Sequence, residues 1–147
     1  MAIFSQYIHM INRCAGIYCA EHLRGSGLGQ NHSWCLISVC RHPGISQEKL
    51  ARRLYINKSN VTRRLSYLES AGYVERRQSE EDKRVMLVYP TEKAYEILPS
   101  LRVLFCEWED AITSELSPEE LEAFKEMLER VAKNASTLID SQALECE

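Results

Sequence analysis

The stretch ISQEKLARRLYINKSNVTRRLSYLESAGYVERRQSEEDKRVMLVY, from Ile45 to Tyr89, constrains this chain more than any other. Ser46 suits an N-cap, a hydroxyl that accepts from a free amide of the first helical turn. It opens a short helix to Leu54 with an inner stripe of Leu50, Ala51 and Leu54. Tyr55-Ile56 crosses a turn and Asn57 offers the next cap. From Lys58 to Ser70, Val61, Leu65 and Leu68 recur at i, i+4 and i+7, the spacing of one buried helix face. Lys58, Ser59, Asn60, Thr62, Arg63 and Arg64 occupy the other face. Gly72 stands where a left-handed residue closes the helix. Val74 to Gln78 and Arg84 to Tyr89 are β-prone runs on either side of the polar turn Ser79 to Lys83, which predicts a hairpin with a five-residue loop. Pro90 ends the second strand because proline supplies no ladder donor.

The flanks are helical. Ile3, Phe4, Tyr7, Ile8, Ile11, Cys14, Ala15, Tyr18 and Cys19 fall at steps of mostly three and four, an amphipathic helix over residues 3 to 24. A Gly/Ser loop at 25 to 29 follows, then a second helix from Asn31 to His42, stopped by Pro43-Gly44. Thr91 caps a long helix containing Leu98, Leu101, Leu104, Phe105 and Trp108, and Pro99 inside it predicts a kink or a break. Ser117-Pro118-Glu119-Glu120 is a capping box that starts a last helix. These terminal helices carry more apolar faces than one small winged domain covers. The physical solution is a homodimer with interleaved N- and C-terminal helices, the alternative being an intramolecular bundle. The expected fold is mainly α with a small β-hairpin wing. It is one domain over residues 1–147, with dimerisation helices at 1–30 and 100–147 around a winged helix-turn-helix region at 31–99.

The net charge of −3 hides its distribution. Arg41 to Lys93 holds 12 Lys/Arg against 7 Asp/Glu, and the remainder 6 against 14, so a basic centre lies between acidic flanks. That is the footprint of a polyanion partner, or of a solvated charge run. Short apolar runs give neither a signal peptide nor a membrane span, so a cytoplasmic location is the default. The six cysteines, Cys14, Cys19, Cys35, Cys40, Cys106 and Cys146, contain no Cys-x-x-Cys and read as reduced, packed thiols. Ser-His-Asp logic, a Gly-rich phosphate loop and a paired-carboxylate setting are all missing, so no enzyme and no cofactor are expected.

The chain resembles the MarR/SlyA family of winged helix-turn-helix transcriptional regulators. The resemblance covers nearly its whole length and is strongest from Pro43 to Ala94. The matching pieces are Pro43-Gly44-Ile45-Ser46-Gln47, Leu50-Ala51, Asn57 to Arg63, Leu68-Glu69 with Gly72 to Arg76, then Asp82-Lys83-Arg84 as the family's Asp-x-Arg, Leu87 and Thr91. Arg64, Tyr89-Pro90 and Ala94 depart from the pattern. The family implies double-stranded DNA as partner and a homodimer on a pseudo-palindromic operator. It further implies a repressor released by a small-molecule or redox signal.

On that reading the helix from Lys58 to Ser70 enters the major groove with its N-terminal residues on base edges. Arg63 suits guanine and Asn60 adenine, with Ser59 and Thr62 beside them. Lys58 and Arg64 suit phosphates, as do Ser46 and Gln47 through free amides of the preceding helix. At the wing tip, beside Lys83, Arg84 suits a narrow minor groove, and the resemblance implies that Asp82 orients it. Alternation turns at most one of Arg76 and Arg77 toward DNA. The resemblance also implies a small aromatic or anionic effector between the terminal helices and the winged region. Tyr7, Ile11, Arg13, Tyr18, Trp34, Phe105 and Trp108 would line that site; each alone also reads as core packing except Arg13, whose charge on a largely apolar helix wants a partner. Redox sensing in the family points to Cys14 and Cys19, against the plainer reading of structural thiols. A zinc site from His32, Cys35 and His42 is disfavoured, and no metal is expected. The rival of another class is a winged-helix protein-interaction module, which would need the same core stripe but not the basic face.

Overall fold

The computed structural model describes residues 3–144, so Cys146 lies outside the described residues. Its elements are α1 (Ile3–His22), α2 (Gln30–Arg41), β1 (Ile45–Ser46), α3 (Gln47–Leu54), α4 (Lys58–Ser70), β2 (Val74–Gln78), β3 (Met86–Pro90), α5 (Glu92–Ile112) and α6 (Pro118–Leu144). The chain forms two compact units that meet in sequence at Trp108/Glu109.

In the first unit α4 is the central element. Val61, Leu65 and Leu68 are fully buried, and they belong to one core with Leu36 and Val39 of α2, Leu50 of α3, Val88 of β3 and Leu101 of α5. Both helices of the turn are capped as their sequences require. Ser46 Oγ accepts from the Lys49 amide at 3.2 Å and Asn57 Oδ1 from the Asn60 amide at 2.8 Å. Tyr55 closes α3 in the left-handed region at φ 50°. Gly72 follows α4 at φ +80°, a conformation that glycine adopts without a Cβ penalty.

The sheet has three antiparallel strands in the order β1-β3-β2. Ile45 pairs with Val88 and Ser46 with Leu87 on one side of β3, while Val74 pairs with Pro90 and Arg76 with Val88 on the other. The two-stranded ribbon of the sequence reading is thus corrected. Two residues are too few for a periodic signal, and β1 exists only because β3 offers a free edge. Gly44 leads into it at φ +80°, and a Cβ there would stand 3.2 Å from the Tyr89 ring. The wing loop is also longer than expected. β3 begins at Met86, so Arg84 and Val85 belong to the loop, which Ser79 N–H donating to the Val85 carbonyl at 2.8 Å closes.

Two helix expectations change. Thr91 does not cap α5 with its side chain; its hydroxyl oxygen sits 2.7 Å from the Gly72 carbonyl and 3.1 Å from the Tyr73 carbonyl. Of the kink or break expected at Pro99, the break does not occur: α5 is continuous through it. Proline removes one helical hydrogen bond, to the carbonyl four residues earlier, and here both Tyr95 and Pro99 are exposed, so water can take that bond. The connection between α1 and α2 is held by two tyrosines: Tyr67 of α4 donates to the Gly27 carbonyl, and Tyr73 to the Ser26 carbonyl at 3.0 Å.

In the second unit, α6 opens with the reciprocal bonds of a capping box. The Ser117 amide donates to Glu120 Oε2 at 2.8 Å, and the Glu120 amide to Ser117 Oγ at 3.2 Å. Phe124, Met127, Leu128, Val131, Leu138 and Ile139 of α6 are exposed. Among the described residues no helix is long and apolar enough to cross a membrane.

Truncating Leu65 to alanine removes the centre of the α4 stripe from a fully buried site. The expected loss is about 2–5 kcal/mol of unfolding free energy, read as a lower urea midpoint with an unchanged slope.

Candidate nucleic-acid interface

A concavity of about 1090 Å³ lies between the helix-turn-helix and the wing. α3 contributes Gln47, Glu48, Lys49 and Arg52; α4 contributes Lys58 and Thr62; and the sheet and wing contribute Ser46, Arg77, Asp82, Arg84 and Tyr89. Five of the residues named in advance (Ser46, Gln47, Lys58, Thr62 and Arg84) therefore share one cleft with Asp82. Ser59, Asn60, Arg63, Arg64 and Lys83 lie outside its lining.

On α4, capping and charge presentation use the same side chains. Asn57 Oδ1 accepts from Ser59 Oγ at 2.8 Å as well as from the Asn60 amide. Asn60 Oδ1 accepts from an Arg63 guanidinium nitrogen at 2.9 Å, so these two residues form one preset unit rather than two independent groups. Lys58, Ser59, Thr62 and Arg63 are exposed. Arg64 is half-buried; on α2, the burial of His32 and then the nearby Arg64 charge hold that imidazole below the ordinary histidine range.

At the wing, Asp82 holds Arg84 at three points. Its Oδ1 accepts from the Arg84 amide at 3.0 Å and from Nε at 3.1 Å, and its Oδ2 accepts from a guanidinium terminus at 3.2 Å. The guanidinium is otherwise presented to solvent, with 91% of the side chain exposed. A planar fork fixed at one edge loses less freedom on meeting a groove than a free side chain would. Arg76 is not available in this way. Its amide, Nε and a terminal nitrogen all donate to Glu69, tying β2 to the end of α4. Arg77 pairs with Glu75 at 2.6 Å and lies 5.1 Å over the Tyr89 ring, facing the cleft.

Sequence reasoning missed Glu48, Lys49, Arg52 and Tyr89 as cleft residues, and left open which of Arg76 and Arg77 turns toward it. The signal for the three on α3 was present, since they are the complement of the Leu50/Ala51/Leu54 stripe. That for Arg77 and Tyr89 required the strand register.

The other expected sites divide. Tyr18 lies 5.2 Å from Trp108, and Trp34 stacks on Phe105 at 4.4 Å. Tyr7, Ile11 and Arg13 are exposed on α1. Cys14 is exposed, whereas Cys19 is buried and its thiol pushed up by that burial. Burial pushes the Cys35 thiol up to about 11. Among the described residues no three His, Cys, Asp or Glu side chains are grouped to hold a metal, so His32, Cys35 and His42 form no such cluster.

A family model described as the MarR family matches residues 26–85. The HTH-type transcriptional regulator BilQ of Clostridium symbiosum is 27% identical over 130 residues, spanning 88% of this chain and 90% of that protein. An uncharacterized HTH-type transcriptional regulator of Bacillus subtilis, YwoH, is 31% identical over 124 residues, spanning 82% and 89% respectively. Among solved structures, a mutant MarR from E. coli complexed with operator DNA matches with a TM-score of 0.80 at 25% identity, covering 88% of this chain and 94% of that one.

The Arg84 fork holds the Asp82 carboxyl below the ordinary aspartate range, chiefly through the side-chain hydrogen bond. The folded value is depressed, so the pair is complete above about pH 4, the unfolded aspartate range, and is lost as pH falls through the lower folded value. Side-chain carboxyl NMR should show that low midpoint, and Arg84→Ala should return it toward the ordinary one.

Proposed function

The chain belongs to the MarR family, and on that premise we propose that it is a sequence-specific DNA-binding transcriptional regulator acting as a homodimer. The observation that carries this reading is the shared cleft: the α4 N-terminus and the Asp82-fixed Arg84 bound one concavity from its two sides. In a helix-turn-helix protein the recognition helix reads base edges in the major groove and flanking cations set position on phosphates. α4, with the Asn60–Arg63 unit exposed near its N-terminus, fits that part. The wing guanidinium fits the negative potential of a narrow minor groove. A protein-interaction module would not require this arrangement of cations.

The dimer is supported by apolar side chains that each unit leaves open. α1 exposes Ile3, Phe4, Tyr7, Ile8 and Ile11, and α6 exposes Phe124, Met127, Leu128, Val131, Leu138 and Ile139. Stripes of this size on two helices favour burial against a second copy. The finer reading is a repressor relieved by a small aromatic or anionic ligand. The half-exposed Trp34 on Phe105, and Tyr18 against Trp108, offer ring faces for such a ligand. A redox signal through Cys19 is less well supported, because burial keeps that thiol protonated and the thiolate is the reactive form.

Gel shifts on the chain's own promoter region across a salt series test the reading: affinity should fall steeply with salt and prefer one sequence. Arg84→Ala should weaken operator binding at least about tenfold without lowering the melting temperature. Footprinting should show two protected half-sites about one helical turn apart, roughly 34–36 Å, as twofold symmetry requires. A single isolated half-site would overturn the dimer.

A further inference from the structure

We propose that Glu48 is a built-in competitor for DNA phosphate, its carboxylate occupying Lys58 and Arg52 until a duplex takes those cations from it. The inference rests on the DNA-binding reading above. Glu48 Oε1 lies 3.2 Å from Lys58 Nζ and 3.4 Å from an Arg52 guanidinium nitrogen. All three residues line the cleft between α3, α4 and the wing. Lys58 is the first residue of α4, so the contact joins the two helices of the helix-turn-helix where the duplex would approach.

The side chains are more than half exposed, from 54% for Glu48 to 79% for Arg52. Ion pairs this open add little to stability. They also exchange readily with another anion. The Lys58 hydrogen bond, followed by the charges of Lys58 and Arg52, holds the Glu48 carboxyl below the ordinary glutamate range, so it is ionised at neutral pH. Asp82, also in the cleft, differs in kind. It fixes one guanidinium and the backbone of its own loop, whereas Glu48 holds two cations on one oxygen, Arg52 one turn along α3 and Lys58 across the turn on α4. A carboxylate on a DNA-facing surface can instead accept from cytosine N4. Engagement of its Oε1 by both cations favours the competitor role. The consequence is a duplex affinity lower, and a salt dependence shallower, than the cations of the cleft would otherwise give. Such a brake acts on every sequence alike and keeps non-operator binding weak.

The test is Glu48→Gln in the full-length protein, which preserves size and removes the charge. Wild type and variant are titrated on a mixed-sequence duplex and on the promoter region across a salt series, with melting curves for both. The variant should bind the mixed duplex about three- to tenfold tighter at low salt, and its slope of log K against log salt should steepen by about 0.9, equivalent to one additional phosphate. In a Lys58→Gln background the same change should do much less. An unchanged slope in a normally melting variant overturns the role. So does loss of preference confined to one cytosine-bearing operator position, which would make Glu48 a base reader. If the wild type binds neither duplex at low salt, the DNA-binding reading fails and this inference with it; wild-type binding with an unaltered slope overturns only the role of Glu48.

Discussion

The buried stripe of α4 is the constraint on which the rest of the first unit depends. Val61, Leu65 and Leu68 are wholly withdrawn from water, and α2, α3, β3 and α5 all contribute to the core that covers them. Burying three large apolar side chains on one helix fixes its rotation about its own axis. Once that rotation is fixed, Lys58, Ser59, Thr62 and Arg63 have no face left but the outer one. The chemistry of the interface thus follows from a packing requirement, with the Asn57 cap setting where the outward face begins.

Most of this was legible because its signals are local. The bounds of α4 and β2, the caps at Ser46 and Asn57 and the box at Ser117–Glu120 all rest on residues within a turn or two of one another. What escaped were features set by distant partners. β1 is a strand only by virtue of β3. The Thr91 hydroxyl finds carbonyls about 18 residues back in the chain. Arg64, on the outer face by simple periodicity, is half-buried with its charge near His32 of α2. Pro99 stays inside a helix because the bond it removes faces water. Periodicity therefore located the candidate interface, and register decided which side chains share its cleft.

A count of charges overstates how many free cations the cleft and its surroundings offer. Arg52 and Lys58 pair with Glu48, Arg76 with Glu69, Arg77 with Glu75 and Arg84 with Asp82. These carboxylates do different things. Glu69 locks a half-buried guanidinium between α4 and β2, and Asp82 aims an exposed one. Glu48 holds cations that are open to solvent on the side facing the cleft. The sequence shows only alternating signs, since which carboxylate fastens and which competes depends on exposure and on how many bonds each makes.

The pairing of Ile45 with Val88 has a consequence for how the chain comes into being. These partners stand 43 residues apart, and Ser46, which pairs with Leu87, is also the cap of α3. During synthesis from the N-terminus, α3 and α4 emerge before β3 exists to hold Ile45 and Ser46 extended. The loop-closing step therefore comes late, after the local helices have formed. The hairpin that ends the winged region also closes the sheet at its start, so a nascent chain ending before Leu87 carries its helices without the strand that pairs with Ile45 and Ser46.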